Sequence, residues 1–443
     1  MLSLSKKTMV VFVFVFVALA AVFFPISFNF VLLVCFLFWV VGVFFIPSSL
    51  FVSRFYWFIF GIFFILPVVF LGGSEYLLQG AFLTDIYLTD SQAILLIRLV
   101  LFHLVFFMLA TFLVSDSVVV KNIDYEIRNI VLFYFLLIVT AVIVLGFNLL
   151  EMNAVYTQGY AAFQSDELSV KKNFFILLVE FLFLSLVSLG MSKKKYFCFF
   201  LLMIYSFSLI FTGIRMPGAC LAFFAFLHFF TYWRSKFILV MIATLIMAPP
   251  VLMFTQSLRV YGYSALDYFD LAYGYFDLIR VLGYTVDTLK AVVSIGDVVD
   301  VSPFFKLFQI LTIFLDRVFS VEVDFGYKAF APEFTKYYDL DLFERTGTTF
   351  GSASVAEAWY YWGWGGVALV GSAAFFISCW FSKIAYSGGL VLTLIYLVAL
   401  PKFIISVRNE VLGWFFESAI HLLLCVPFVI FCYVAFVKKE KIS

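Results

Sequence analysis

Charged side chains are scarce in this chain, and the few that interrupt its apolar runs are the first candidates for chemistry. Burying an ionisable group in a bilayer costs about 2.5–3.5 kcal/mol on insertion scales, so each one inside an apolar run is a functional candidate. Arg98, His103, Glu180, Glu417 and His421 meet that description. Glu417 and His421 are four residues apart, which sets them on one helix face within reach of each other. Arg98 lies near enough to the end of its run to snorkel, and His228 reads as an interfacial aromatic.

The ends of the runs carry more signal. Thr212-Gly213-Ile214-Arg215-Met216-Pro217-Gly218 is a tight turn between two apolar segments, with Pro217 suited to a helix start. Backbone N–H groups at such a start, together with Arg215, suit a phosphate; the plainer reading is a hairpin whose arginine meets lipid headgroups. Arg408 sits just before the last run, in Val407-Arg408-Asn409-Glu410. A guanidinium fork binds phosphate oxygens bidentately and keeps its charge. Arg259, Arg280, Arg317 and Arg345 extend the positive surface between these points, partly offset by neighbouring Asp and Glu residues. Glu357 opens another run and is followed by Trp359, Tyr360, Tyr361 and Trp362. A carboxylate there complements a helix dipole and the aromatics form an interface belt. The same rings could instead stack on sugars, with Glu357 accepting a proton from a sugar hydroxyl.

The elements that position these residues follow from composition. The chain has 443 residues, 65% of them hydrophobic and 12% charged, with a mean hydropathy of +1.12. Soluble domains hold roughly 45–50% apolar and 25% charged residues, so a soluble enzyme is excluded. A net charge of +1 and no basic run longer than Lys193-Lys194-Lys195 argue against nucleic acid. The six cysteines fall inside apolar runs without metal-ligand spacing and read as core residues, so no metal or cofactor is expected.

At about 20 residues per span, the hydropathy predicts an all-α polytopic membrane protein of about twelve transmembrane helices. These lie at 8–24, 28–47, 55–71, 93–115, 130–150, 173–191, 196–211, 216–232, 237–254, 358–380, 384–401 and 413–436. The first follows two lysines but lacks a small-residue cleavage site, and reads as a retained helix. With the N-terminus inside, the inner segments gather about fourteen Lys and Arg. The short outer loops gather only Lys171, Lys172, Arg215, Lys402 and Arg408. Both termini are therefore expected to be cytoplasmic. The chain divides into a bundle over 1–254, a large outer loop over 255–357 and a second bundle over 358–443. Within the loop, Pro303–Ser320 alternates apolar and charged residues as an interfacial helix does. No matching halves of the kind transporters show are visible.

The layout and three local motifs resemble the bacterial O-antigen or capsule repeat-unit polymerases, the Wzy type of polytopic glycosyltransferase. Thr212-Gly213-Ile214-Arg215 is similar to a Gly-Ser-Arg turn of that family, with Ile214 departing at the serine. Glu357 to Gly366 is similar to its Gly-Glu-x-Tyr-x-x-x-Gly-x-x-Gly pattern, with Ala356 departing at the first glycine. Arg408 stands ahead of the final helix.

The resemblance implies transfer of a growing glycan from undecaprenyl diphosphate to an incoming lipid-linked repeat unit. That transfer would occur at the periplasmic face of the inner membrane, without metal or nucleotide sugar, and a chain-length regulator is a possible partner. It further implies Arg215 and Arg408 on the diphosphate, and Glu357, with Glu417 in reserve, on the acceptor hydroxyl. Arg280, Arg259, Arg317, Arg345, Trp359, Tyr360 and His421 would bind substrate. Two alternatives differ on identifiable features. An O-antigen ligase carries a functional histidine in its outer loop, whereas His103, His228 and His421 all fall in spans. A lipid-linked oligosaccharide flippase would not need a hundred-residue outer loop.

Overall fold

A computed structural model describes residues 2–78, 86–113, 125–158, 174–212, 215–231, 271–295, 299–319, 321, 323–338, 353–386, 389–410 and 412–439, with isolated positions at 236–258 and 340. In lipid every backbone polar group must be satisfied within the protein, and helices do this locally. The described chain forms α1 (Leu2–Phe23), α2 (Phe28–Phe45), α3 (Phe51–Phe64), α4 (Leu66–Phe70), α5 (Ser74–Leu78), α6 (Asp90–Thr111), α7 (Ile130–Gln158), α8 (Phe174–Ser192) and α9 (Tyr196–Phe211). It continues with α10 (Arg215–Phe229), α11 (Leu271–Ile295), α12 (Phe305–Phe319), α13 (Phe330–Tyr338), α14 (Ser354–Ile384), α15 (Leu390–Ile405) and α16 (Gly413–Phe436). One short antiparallel pair joins β1 (Tyr125–Ile127) to β2 (Val437–Lys439).

Among the described residues, seven helical stretches are long and apolar enough to cross a membrane, and four shorter apolar helices accompany them. They coincide with the expected spans except at 237–254, which falls mostly outside the described residues. The protein is an all-α, multi-pass membrane protein. The amphipathic stretch near Pro303 forms a helix of its own, and neither α11 nor α12 is among the helices long and apolar enough to cross a membrane.

Two compact units make up the chain. The first contains residues 1–117, 276–382 and 406–414. Here α2 and α3 lock through two tryptophans: Trp39 donates its indole N–H to the Trp57 carbonyl at 3.2 Å, and Trp57 donates to that of Trp39 at 2.7 Å. A buried indole N–H needs such a partner. The approach requires Gly61, where a Cβ would lie 2.1 Å from the Trp39 ring. Serines join α3 to α14, Ser378 donating to Ser53 at 2.9 Å and Ser382 accepting from the Val52 N–H at 3.1 Å. Small polar residues of this kind hold membrane helices together without leaving a hydroxyl unsatisfied. The start of α6 is a capping box: Thr89 accepts from the Gln92 N–H, and Gln92 accepts from the Thr89 N–H.

The second unit contains residues 118–275, 383–405 and 415–443. Its helices α8 and α9 form a hairpin through Lys194, at φ 54°. A Cβ at Gly218 of α10 would meet the Ser206 carbonyl of α9 at 2.7 Å, so these two helices touch backbone to backbone. Asn148 of α7 donates to Ser208 of α9 at 2.7 Å, and the Tyr156 hydroxyl donates to the Phe211 carbonyl at 2.8 Å.

Within each unit the ends that touch are ends assigned to one membrane side. Tyr156 and Phe211 both lie at ends read as outer. The strand pair brings residues beside Arg128 to the C-terminal lysines, both read as inner. In the first unit, the Arg98 guanidinium donates to the Phe24 carbonyl at the end of α1.

Candidate functional site

In the first unit, α14 is a broken helix. Gly363 adopts φ 58° and ψ −146°, a conformation essentially confined to glycine, between Ser354–Trp362 and the remainder of the helix. The reversal folds the two parts together so closely that a Cβ at Gly366 would lie 2.3 Å from the Ala358 carbonyl. The two glycines that end the Glu357–Gly366 motif therefore have distinct duties: one turns the chain, the other admits the approach. The span expected at 358–380 lies within this helix, which carries the break near its start.

Upstream of the break, Glu357 is only 3% exposed. The start of α14 is tied to the turn before α16: the Ser354 N–H donates to the Val407 carbonyl at 3.3 Å, and its hydroxyl reaches the same oxygen at 3.4 Å. Glu357 lies one helical turn after that tie and Arg408 is the residue next to it. Carboxylate and guanidinium, 51 positions apart in the numbering, thus belong to one corner of one unit. Glu357 and Glu410 both act electrostatically on the Tyr361 hydroxyl. Glu410 also packs beside Gly413, whose Cβ would lie 2.9 Å from the carboxylate and 3.6 Å from the Lys306 stem of α12. Arg408 is half-buried. Burial pulls its pKa below the usual guanidinium value, and the neighbouring Tyr284 hydroxyl of α11 opposes that shift. So high a starting value leaves it charged.

The aromatics of the motif divide between two settings. Trp359 stands where the family pattern has tyrosine, and its ring meets Trp364 across the break, centroids 5.4 Å apart. Tyr360 donates its hydroxyl to the Val299 carbonyl and packs edge-on against Phe330 and Phe334 of α13. It is held by a loop helix, and Trp362 is the exposed ring of the group.

The other sequence-derived residues fall as follows. Arg280 lies on α11 and Arg317 on α12, both in the first unit, with side chains outside what the structure describes. Arg259 and Arg345 lie outside the described residues. Arg215 opens α10 in the second unit, again known only by its backbone.

Glu417 and His421 also belong to the second unit, in a cluster that the sequence only half shows. The His421 Nδ1 lies 2.5 Å from the Glu417 backbone carbonyl, not from its carboxylate, and 2.7 Å from the Lys402 ammonium. The Glu417 carboxylate faces Lys402 at 3.9 Å. Tyr205 donates to Glu180, whose charge also acts on His421. Lys402 was legible only as an outward lysine; its inward partners could not be read from spacing.

Two histidines are buried among aromatic rings. His103 is a core aromatic, stacked on Phe60 with centroids 4.3 Å apart, and neither ring nitrogen has a hydrogen-bond partner among the described residues. His228, in the last turn of α10, is buried against Tyr396. All six cysteines are buried and free, and no metal-binding group of His, Cys, Asp or Glu occurs among the described residues.

Comparison with known proteins gives one match. A family model described as O-antigen polysaccharide polymerase Wzy matches residues 7–441. No curated protein and no solved structure matches the chain.

Proposed function

The chain belongs to the O-antigen polysaccharide polymerase Wzy family, whose activity is the polymerisation of O-antigen repeat units, and we propose that it does so by glycosyl transfer between two lipid-linked substrates at the periplasmic face of the inner membrane. The growing chain leaves its undecaprenyl diphosphate and joins a hydroxyl of the incoming repeat unit. A sugar–diphosphate bond breaks, a glycosidic bond forms, and one proton leaves the acceptor hydroxyl. The donor carries its own leaving group, so the reaction draws on no nucleotide sugar, and guanidinium groups supply the cationic charge.

The observation that carries this reading is the tie between Ser354 and Val407, which sets a buried carboxylate and an arginine at one corner of the first unit. Glu357 accepts the proton or the hydrogen bond of the acceptor hydroxyl; a positioned base of this kind contributes about 10²–10⁴-fold. Arg408 and Arg215 are assigned to lipid diphosphate, where charge develops as the glycan departs. Glu417 is the weaker candidate for base because its carboxylate is engaged with Lys402. Arg280, Arg259, Arg317, Arg345, Trp359, Tyr360 and His421 are assigned to substrate, and a chain-length regulator to the partner role. The bundle–loop–bundle division of the chain, with both termini cytoplasmic, belongs to the same proposal.

Deleting the gene in its own bacterium and resolving surface lipopolysaccharide by gel tests the reading. Core bearing a single repeat unit, returned to a ladder by a plasmid copy, supports polymerisation. Core with no repeat and lipid-linked polymer outside the membrane would mean ligase, and repeat units trapped inside would mean flippase.

A further inference from the structure

Outside the family's motifs, the first unit holds a second buried polar group, between α5 and α11. Tyr76 of α5 is gripped by one face of α11 over two turns. Its hydroxyl lies 3.2 Å from Asp287 Oδ1 and 3.3 Å from the Gly283 carbonyl, so its single proton is shared between them. Lys290 donates to the Tyr76 carbonyl at 3.1 Å, and its ammonium stands 5.2 Å from the ring centroid. Gly283 is required by this fit, since a Cβ there would lie 2.8 Å from the Tyr76 hydroxyl. Asp287 and Lys290 are both fully buried, and Asp287 Oδ2 has no hydrogen-bond partner among the described residues.

The same face of α11 leads to the site. Tyr284, three residues before Asp287, is felt by both Tyr76 and Arg408. Arg280 precedes Tyr284 by one further turn in the same register. Asp287 and Lys290 thus touch Tyr76 directly, and Tyr284 on the same face acts electrostatically on both Tyr76 and Arg408. We propose that Tyr76 and Asp287 are positioning residues for polymerisation: they latch α11 to α5 so that its Tyr284 face meets Arg408 where the lipid diphosphate is bound. This rests on the reading of Arg408 as a diphosphate ligand. Geometry at such a site is exacting, because a misplacement of about 1 Å can cost about 10²-fold in rate.

The latch has a definite response to pH. Burial raises the Asp287 pKa to about 7, against smaller lowering by Lys290 and the Tyr76 hydroxyl. Among the described residues, the titratable groups facing it are Tyr76 on α5 and Lys290 on its own helix. A carboxyl whose folded pKa is raised contributes stability that is complete in acid and is lost as pH rises through about 7. The neutral acid keeps the tyrosine bond without an anion on Oδ2, whereas ionisation leaves that oxygen charged and buried.

The test uses the full chain in liposomes, supplied with lipid-linked repeat units from the deletion strain, assayed from about pH 5.5 to 8.5. The wild type should lose about fivefold in rate from pH 7 to 8, as expected for one group titrating near 7. Asp287→Asn, neutral at every pH, should abolish that slope. Tyr76→Phe should lower the rate about tenfold or more at unchanged membrane level. Arg408→Ala separates the two readings. Normal polymer from Arg408→Ala overturns the site assignment and the latch's purpose with it. An inactive Arg408→Ala, beside a Tyr76→Phe of normal rate or an Asp287→Asn that keeps the wild-type slope, overturns the latch alone.

Discussion

Both units hold ionisable side chains among the described residues, and they solve the burial of charge in opposite ways. In the second unit, inside apolar helices, the cluster is closed upon itself: Lys402 meets His421 and Glu417, and Tyr205 meets Glu180. In the first unit the helix carrying Glu357 breaks at a glycine-only conformation, and Asp287 keeps a buried oxygen without a partner among the described residues. Depth in the membrane marks a charged residue as a candidate, but mutual pairing is what a structural role requires. Backbone strain and an unmet oxygen are what a working site retains. We propose from this contrast that the proton acceptor lies in the first unit and that the Lys402–Glu417 pair of the second is support.

Glu357→Gln is the strongest way to break that division. It keeps the shape of the side chain and removes its basicity, so polymer should fall about 10²–10⁴-fold with unchanged protein in the membrane. A normal ladder from this variant would move the base elsewhere. Arg408→Lys asks a finer question, because it retains charge while losing the planar fork. A loss of about tenfold to a hundredfold, measured as rate per molecule, fits bidentate contact with diphosphate. A rate equal to wild type would leave Arg408 a point charge only. Gly363→Ala probes the break itself. Forcing a side chain into that conformation costs about 1–3 kcal/mol, so polymerisation should drop by about tenfold, shared between rate and membrane level.

The spans were legible because apolar runs of sufficient length can do little else in a bilayer. The capping box at Thr89-Asp90-Ser91-Gln92 was equally readable, and moves the start of its helix three residues ahead of the expected 93. Local spacing gave Glu357 and Arg408 as separate candidates. Their association through Ser354 and Val407, 53 residues apart, has no periodic signature. The same holds for Tyr76 and Asp287, which are 211 residues apart on unlike segments. Gly363, Gly365 and Gly366 were visible as letters of a motif, but glycines in a row do not say which one reverses the chain. A hydrophobic setting is shared by functional and core imidazoles, so the stacking of His103 on Phe60 could not be read from its run.

The smallest expected effect sharpens the comparison from the supporting side. Lys402→Met removes a 2.7 Å contact with His421 and a 3.9 Å ion pair with Glu417, and Glu417→Gln removes only the ion pair, worth about 0–1 kcal/mol at this exposure. Each should lower the amount of protein in the membrane while rate per molecule stays near wild type. The second loss should then cost less than the first, since Glu417→Gln leaves no carboxylate for Lys402 to neutralise, and the double variant should fall short of the sum. Membrane levels from the four members of this cycle, set beside single-molecule-normalised polymer yield, check both statements at once. Full membrane levels with abolished polymerisation in either single variant would make the second unit's cluster catalytic, and the contrast between paired and strained groups would no longer separate support from chemistry.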